Sequence, residues 1–295
     1  MEIQPQVADV EELSRDLQQI SELPTLPEAA DYHRAMVQRN GCSMREIKRA
    51  ILLDPPLATT ILREAGHQRP SGTPAPMTIE DALVLIPEET IRSLCARQPK
   101  LRTFAPWNEL NLRTGVLWRH AVGTGILAKA LHLRKRMRHI AGPDPYLAGL
   151  LHHIGWFALD SLRPQLVRKA IRSYHESGRW SLEQERDLFG FDHAAIGALL
   201  LESWGLHPDL VDVVRYHHQP SLTNRLSSYA ALIQVASTIS PDPFPLEIPL
   251  DQVESSLPNH LRFREGPHLL DEMRSRYGRY IRQAMNGSKM MLSWL

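Results

Sequence analysis

The sequence predicts an all-α protein built as a multi-helix bundle. Apolar residues recur at spacings of three and four along most of the chain, which places them on one face of successive α-helices. Cap and break signals separate these stretches, and no run alternates long enough between apolar and polar residues to indicate a strand. Hydrophobic residues make up 43% and charged residues 23% of the 295 positions, which is ordinary usage for a globular protein with a sizeable core.

Composition excludes several classes of protein. The 34 basic and 33 acidic side chains leave a net charge of +1, so bulk charge predicts neither nucleic-acid nor membrane-surface binding. The cysteines, Cys42 and Cys95, are too few for a disulfide scaffold and indicate free thiols in a reducing compartment. The longest apolar stretch, Tyr146 to Leu159, is too short to span a bilayer, and the first residues lack a secretory signal. We therefore expect a cytoplasmic protein that does not insert into membranes.

The first predicted helices are separated by prolines. One apolar face defines the opening helix, through Val10, Leu13, Leu17 and Ile20. The segment LPTLPEAA then interrupts the pattern, because Pro24 and Pro27 fix an extended turn. Ser43 and Glu46 form a capping box ahead of the next helix, which ends or resets at the Asp54-Pro55-Pro56 sequence.

A second cap signal and five longer segments complete the helical prediction. The segment HQRPSGTPAP has the composition of a loop, and Thr78 with Asp81 marks the start of a helix that breaks at Pro87. Further helices are predicted over residues 115 to about 133, 144 to about 159, roughly 163 to 177, 192 to 204, and 208 to 217.

Four prolines in SPDPFPLEIP predict a stiff connector after Ile239. Beyond it one helical face carries Leu270, Met273, Tyr277, Ile281 and Met285. We interpret this face as a docked C-terminal helix, with a membrane-surface or partner-binding helix as the alternative. The chain thus divides into an N-terminal helix at 1–22, a central helical domain at 23–240, and the connector with the C-terminal helix at 241–295.

Six of the fourteen histidines lie on apolar helical faces, and they are the candidate site residues: His120, His152, His153, His193, His217 and His218. A single histidine in such a position is usually a buried, hydrogen-bonded imidazole. Six of them on four helices predict that the imidazoles converge, and neutral imidazole is the commonest protein ligand for metals. The other eight histidines, His33 among them, lie in polar or loop surroundings and receive no role.

Carboxylates are missing where a hydrolytic metal site would need them. No acid lies in GLLHHIG, Asp192 is interpreted as a helix cap, and Glu185 is placed before the helix begins. Two divalent cations among imidazoles would be poorly balanced in charge, so we expect at most one ion. Because neighbouring residues point about 100° apart on a regular helix, His152 and His153 reach one centre only if the helix is distorted there.

Several ordered motifs resemble the HDOD domain, a divergent relative of the HD-type metal-dependent phosphohydrolases. They are LPTLP, IKRAILLDPPLATTILREAG, TIEDALVLIPEETIRSL, WRHAVGTGILA, YLAGLLHHIGWFAL, ERDLFGFDHAAIGALLLESWGL and VVRYHHQP. The resemblance runs from Leu23 to about Ser240. It implies an N-terminal helical subdomain at 23–105 packed on an HD-like subdomain at 106–240.

The resemblance also implies roles for individual positions. His120 corresponds to the first metal-binding histidine of the HD enzymes, and His152 to the histidine of their His-Asp pair. His153 stands where the aspartate of that pair would be. The additional histidines of dinuclear relatives correspond to His193, His217 and His218. Ser237 stands near the position of the late metal-binding aspartate, so both carboxylates are replaced.

These replacements shape the functional expectation. The resemblance implies a non-catalytic bacterial signalling or output module that binds a protein partner or a nucleotide-like effector in the groove between the subdomains. No catalytic residue is assigned, and the only cofactor considered is one transition-metal ion (Fe, Zn, Mn or Ni) in a degenerate histidine site. Two alternatives stay open. One is a metal-dependent phosphohydrolase acting on a nucleotide or cyclic dinucleotide, and the other is an inert structural metal site.

Overall fold

The computed structural model describes residues 10–100, 115–134, 142–223 and 225–240, and these residues form helices joined by turns. Within them the only extended pairing is an isolated bridge between Thr25 and Lys100. The all-α prediction is confirmed. The predicted connector and C-terminal helix at 241–295 lie outside the described residues.

The helices before residue 100 make up the first part of the bundle: α1 (Val10–Gln19), α2 (Pro27–Gln38), α3 (Met44–Leu52), α4 (Pro55–Gln68), α5 (Ile79–Leu85) and α6 (Glu88–Arg97). The second part follows residue 115: α7 (Gly115–Arg134), α8 (Pro145–Leu151), α9 (Ile154–Leu162), α10 (Pro164–Ser177), α11 (Leu182–Phe189), α12 (His193–Ser203), α13 (Pro208–Tyr216) and α14 (Ser227–Ile239). A short 3-10 turn, Pro220–Leu222, precedes α14.

Side-chain caps fix several helix starts where the sequence predicts them. Ser43 and Glu46 form the predicted capping box of α3, and the Thr78 side chain caps α5. Asp54 caps α4 by accepting a hydrogen bond from the Leu57 backbone N–H, so this residue starts a helix as well as following one. Helix α2 is not among the helices predicted from the sequence. Pro27 occupies its first turn, where the missing N–H of proline costs no helical hydrogen bond.

The helix predicted over 144 to about 159 is wrong in one respect, because the chain breaks it into α8 and α9. His152 ends the first helix and His153, with φ −102° and ψ 18°, caps the second. This local distortion turns both imidazoles toward the same side of the bundle, where the other candidate histidines lie.

Two glycine pairs bring helices into close contact around this break. A Cβ built on Gly149 would lie 2.7 Å from the Gly125 backbone, so α8 and α7 cross without side chains between them. A Cβ built on Gly155 would lie 1.9 Å from the His193 carbonyl oxygen and 2.8 Å from the Gly197 nitrogen. The α9–α12 crossing is therefore equally close, and it sets the distance between His193 and the break.

Helix α1 packs on the second part of the bundle, against α12 and α9. The Trp204 indole N–H donates to the Ile20 carbonyl at 3.1 Å. Helix α4 contacts α7, α8 and α9, and the Tyr146 hydroxyl donates to the Leu52 carbonyl at 2.5 Å. One hydrophobic core runs through both parts.

The chain enters and leaves the first part at neighbouring points. The Thr25 N–H donates to the Pro99 carbonyl at 2.8 Å, and the Gln98 side-chain amide donates to the Leu23 carbonyl at 3.1 Å. The segment before α2 is therefore tied to the segment after α6. Among the described helices, none combines the length and apolar character needed to cross a membrane.

Candidate metal centre

All six candidate histidines converge in the structure. They come from α7 (His120), from the α8–α9 break (His152 and His153), from the first turn of α12 (His193), and from the end of α13 (His217 and His218). Five are buried and His218 is half-buried. Their ring nitrogens form two groups that share His153, each with its atoms within 4.8 Å of one another. One group adds His120 and His152 to His153, and the other adds the remaining three.

The group around His120 is joined by hydrogen bonds to a serine. The Nε2 atoms of His120 and His152 lie 3.1 Å apart, and the Ser237 Oγ lies 3.3 Å from each of them. The His152 Nδ1–H donates to the Gly149 carbonyl at 2.7 Å, so its Nε2 carries the lone pair. Ser237, which the sequence resemblance places near the late aspartate of the HD enzymes, therefore lies against both histidines.

The group around His193 presents lone pairs to its own interior. The His217 Nδ1–H donates to the Val214 carbonyl at 2.7 Å, which leaves a lone pair on Nε2. The Nε2 atoms of His193 and His218 lie 3.1 Å apart. The Gln234 amide donates to the His218 backbone carbonyl at 3.1 Å and fixes the chain at this point.

Glu185 precedes α12, as the sequence indicates, and nevertheless lies beside this site. It lies within α11, is buried, and accepts three hydrogen bonds. The backbone N–H and the Nδ1–H of His193 both donate to one carboxylate oxygen at 2.7 Å, and the Trp180 indole donates to the other at 3.0 Å. Gly190, in the left-handed conformation, reverses the chain between α11 and α12 and so brings this acid back to His193.

Asp192 does what the sequence predicts. Its side chain accepts a hydrogen bond from the Ala195 N–H and caps α12, and it also forms an ion pair with Arg186 at 2.7 Å. The backbone bond, the Arg186 bond and the nearby positive charge lower the pKa of this carboxyl against the opposing effect of burial. The Asp192 carboxylate therefore binds the α12 backbone and Arg186 rather than a histidine of the cluster.

Burial favours the neutral form of four of the six imidazoles. It lowers the pKa of His152, His153 and His218 far below the ordinary value of 6.5, and the neighbouring imidazoles lower it further. The pKa of His217 falls to about 3 for the same reasons, burial being the larger. Neutral imidazole is the form that binds metal ions.

The residues present fit a transition-metal ion. Both ring nitrogens of His153 and the Nε2 of His217 are buried and have no hydrogen-bond partner, which is costly unless something else satisfies them. Ligand nitrogens about 2.0–2.1 Å from one ion lie about 3.0–3.4 Å apart when adjacent. The 3.1 Å separation of the His193 and His218 nitrogens falls in that range.

For His33 the sequence interpretation is wrong. It is fully buried, and its Nδ1 lies 3.7 Å from an Asp54 carboxylate oxygen that also accepts the Thr25 hydroxyl at 2.5 Å. Burial lowers the pKa of His33 and raises that of Asp54. This pair lies in the first part of the bundle.

Solved structures with the same fold come from several bacteria. The MmoQ response regulator of Methylococcus capsulatus is 19% identical, with a TM-score of 0.61 over 80% of this chain and 87% of that chain. A virulence factor of Campylobacter jejuni is 15% identical, with a TM-score of 0.63 over 86% and 99%. An HDOD domain protein of Geobacter sulfurreducens is 22% identical, with a TM-score of 0.52 over 94% and 99%.

Sequence comparison identifies the family. An uncharacterized protein of Treponema pallidum is 22% identical over 252 residues, which are 85% of this chain and 48% of that protein, so the chain spans about half the length of this relative. The HDOD domain profile matches residues 23–220, which include all six histidines. The chain belongs to the HDOD domain family.

Proposed function

We propose that this chain is a non-catalytic bacterial signal-transduction module with a degenerate metal centre. It binds a protein partner or a nucleotide-like effector at the junction of an N-terminal helical subdomain, 23–105, and an HD-like subdomain, 106–240. One observation carries the proposal: Ser237 is hydrogen-bonded to the two histidines, His120 and His152, beside which an HD enzyme places a metal-binding carboxylate.

The chemistry of hydrolysis supports this proposal. A metal hydrolase needs a group that balances the charge of the ion and accepts a proton from the attacking water. His153 replaces the acid of the His-Asp pair and is neutral because of its burial. Glu185 lies behind His193, and its oxygens already accept three hydrogen bonds, so it is poorly placed to act as a base at the ion.

The names of similar proteins point the same way. The MmoQ structure, which shares the fold, is described as a response regulator. A bound transition-metal ion in this chain would stabilise the packing of α9, α12 and α13, because histidines from these helices or their ends would hold it. It would supply Lewis acidity if a phosphate reached it.

The second candidate function is a metal-dependent phosphohydrolase. Convergence of six imidazoles, including the retained His120–His152 pair, favours it. In that case His120 and His152 would hold an ion that would lower the pKa of a bound water, and turnover would require His152.

A turnover assay separates the two. Purified protein supplied with Mn²⁺, Fe²⁺, Zn²⁺ or Ni²⁺ is incubated with cyclic dinucleotides, nucleoside phosphates and bis(p-nitrophenyl) phosphate. We expect no hydrolysis beyond that of the His152→Ala variant. Hydrolysis at an enzyme-like rate that is lost in His152→Ala would overturn the signalling proposal. A thermal-shift titration with the same nucleotides tests effector binding, which raises the melting temperature with the logarithm of the ligand concentration once this exceeds Kd.

A further inference from the structure

We propose that the histidine cluster holds one ion, in one half only. The ion binds among His153, His193, His217 and His218, which we call the four-histidine half. The half around His120 and His152 is closed by Ser237 and takes no ion. This inference deepens the proposed function, on which it rests for the view that the cluster is no longer a hydrolytic centre.

Hydrogen bonds satisfy the closed half without a cation. The His152 Nε2 carries a lone pair, because its Nδ1–H is used by the Gly149 carbonyl. The Ser237 hydroxyl and the His120 Nε2–H supply donors to this triangle, whose sides measure 3.1, 3.3 and 3.3 Å. A neutral hydroxyl is a weak ligand for a transition metal. An ion here would break the hydrogen bonds of this triangle and gain no negative charge.

In the four-histidine half, by contrast, buried ring nitrogens are left for an ion to bind. The Nδ1 atoms of His193 and His217 are fixed by Glu185 and the Val214 carbonyl, so their Nε2 lone pairs are preoriented. The buried His217 Nε2 and both nitrogens of His153 have no hydrogen-bond partner. An ion satisfies the His217 Nε2 and one of the two His153 nitrogens, whose lone pairs otherwise remain costly to bury.

Charge also favours this half. The buried Glu185 carboxylate accepts the Nδ1–H of His193, so a negative charge lies one imidazole away from the ion. Such outer carboxylates raise ligand basicity and orient the ring. In the closed half, the groups hydrogen-bonded to His152 are the neutral Gly149 carbonyl and Ser237 hydroxyl, besides His120.

Ligand geometry and access agree with the assignment. Nitrogens about 2.1 Å from an ion lie at most about 4.2 Å apart, so a spread of up to 4.8 Å needs side-chain adjustments of a few tenths of an ångström. His218 is half-buried and so gives the ion a way in. An all-imidazole set suits Zn²⁺, Co²⁺, Ni²⁺ or Fe²⁺ rather than Mg²⁺ or Ca²⁺.

The test is a Co²⁺ titration of the metal-free full chain, followed by visible absorption and by metal analysis after dialysis. We expect one equivalent per chain. His218→Gln changes a half-buried ligand and should weaken binding more than about 10-fold, whereas His120→Gln should leave the affinity within about 3-fold of wild type. Far-UV circular dichroism verifies that both variants fold.

Several results would overturn the inference: no binding, two equivalents in the wild type, or an equal loss of affinity in the two variants. If either variant fails to fold, Ser237→Ala replaces it, and a loss of affinity beyond about 10-fold there would place the ion in the wrong half. The proposed function fails separately, through turnover in the nucleotide assay, so the two failures are distinguishable.

Discussion

The close crossing of α9 and α12 makes Gly155→Ala a severe test of the structure. The new Cβ would lie 1.9 Å from the His193 carbonyl oxygen, and real Cβ contacts essentially never fall below 3.0 Å. The helices must therefore separate by the difference, about 1.1 Å. Both clashing groups are attached to backbone, so no side-chain rotation relieves the contact. Overpacking of this kind costs about 1–3 kcal/mol, and we expect a net loss of about 2 kcal/mol after the better helix propensity of alanine is included.

Urea denaturation followed by circular dichroism measures this loss as a lower transition midpoint. Co²⁺ affinity gives a second readout, because the separation displaces the first turn of α12, which carries His193. A loosening of about 1 Å is enough to impair a built site. We expect the affinity to fall along with the stability.

Gly66→Ala is the matched control. Gly66 lies within α4, and its Cβ would meet its nearest atom, the Gly205 carbonyl oxygen, only at 3.9 Å. This variant should be as stable as the wild type or more stable by about 0.5–1 kcal/mol. A Gly155→Ala protein with wild-type stability would refute the close α9–α12 crossing and the positioning of His193 that depends on it.

Three further predictions concern single side chains. Glu185→Gln keeps the shape of the side chain but removes the charge behind His193, so Co²⁺ affinity should fall about 10–100-fold. The control Glu202→Gln alters an exposed ion pair with Arg215 and should not change the affinity. Equal titration curves for the two variants would contradict the role of Glu185. Ser237→Asp supplies a carboxylate to His120 and His152 and should add a second Co²⁺ equivalent in metal analysis; a single equivalent would show that the serine is not what closes that half. Burial raises the pKa of Asp160 from 3.8 to about 7, so its protonated form stabilises the fold at low pH and that stability is lost as pH rises from about 4 through 7. At about 1.4 kcal/mol per pKa unit the full loss approaches about 4 kcal/mol, of which about 2–3 kcal/mol falls between pH 5 and pH 8. The free energy of unfolding of Asp160→Asn, measured at these two pH values, should lack this decline; parallel pH profiles would exclude it.

The sequence predicts those features that depend on local spacing. The capping box at Ser43, the caps at Thr78 and Asp192, and the helical faces all follow from residues within a few positions of each other. The six histidines were predicted to converge because each lies on an apolar face, and such faces pack together. Metal binding by them stays a prediction.

Features that depend on tertiary contacts could not be predicted from the sequence. The α8–α9 break at His152 contains no proline, and the helix is broken where the imidazoles meet in the core. Glu185 lies eight residues before His193 and on another helix, so only the turn at Gly190 brings them together. His33 has polar neighbours along the chain, and its burial becomes visible only once α2 is folded.

The joining of Leu23 and Thr25 to residues 98 and 99 has a mechanical consequence. The chain segment that leads into α2–α6 and the segment that leaves it lie side by side as far as residue 100. Because α2–α6 is attached to the rest of the chain through these two adjacent segments, the line that joins them is the natural axis for a rigid-body rotation. Any swing of α2–α6 would slide α4 over α7, α8 and α9 while leaving α1 seated on α12. Strain applied to one part of the molecule would thus reach the other as a rotation about this junction.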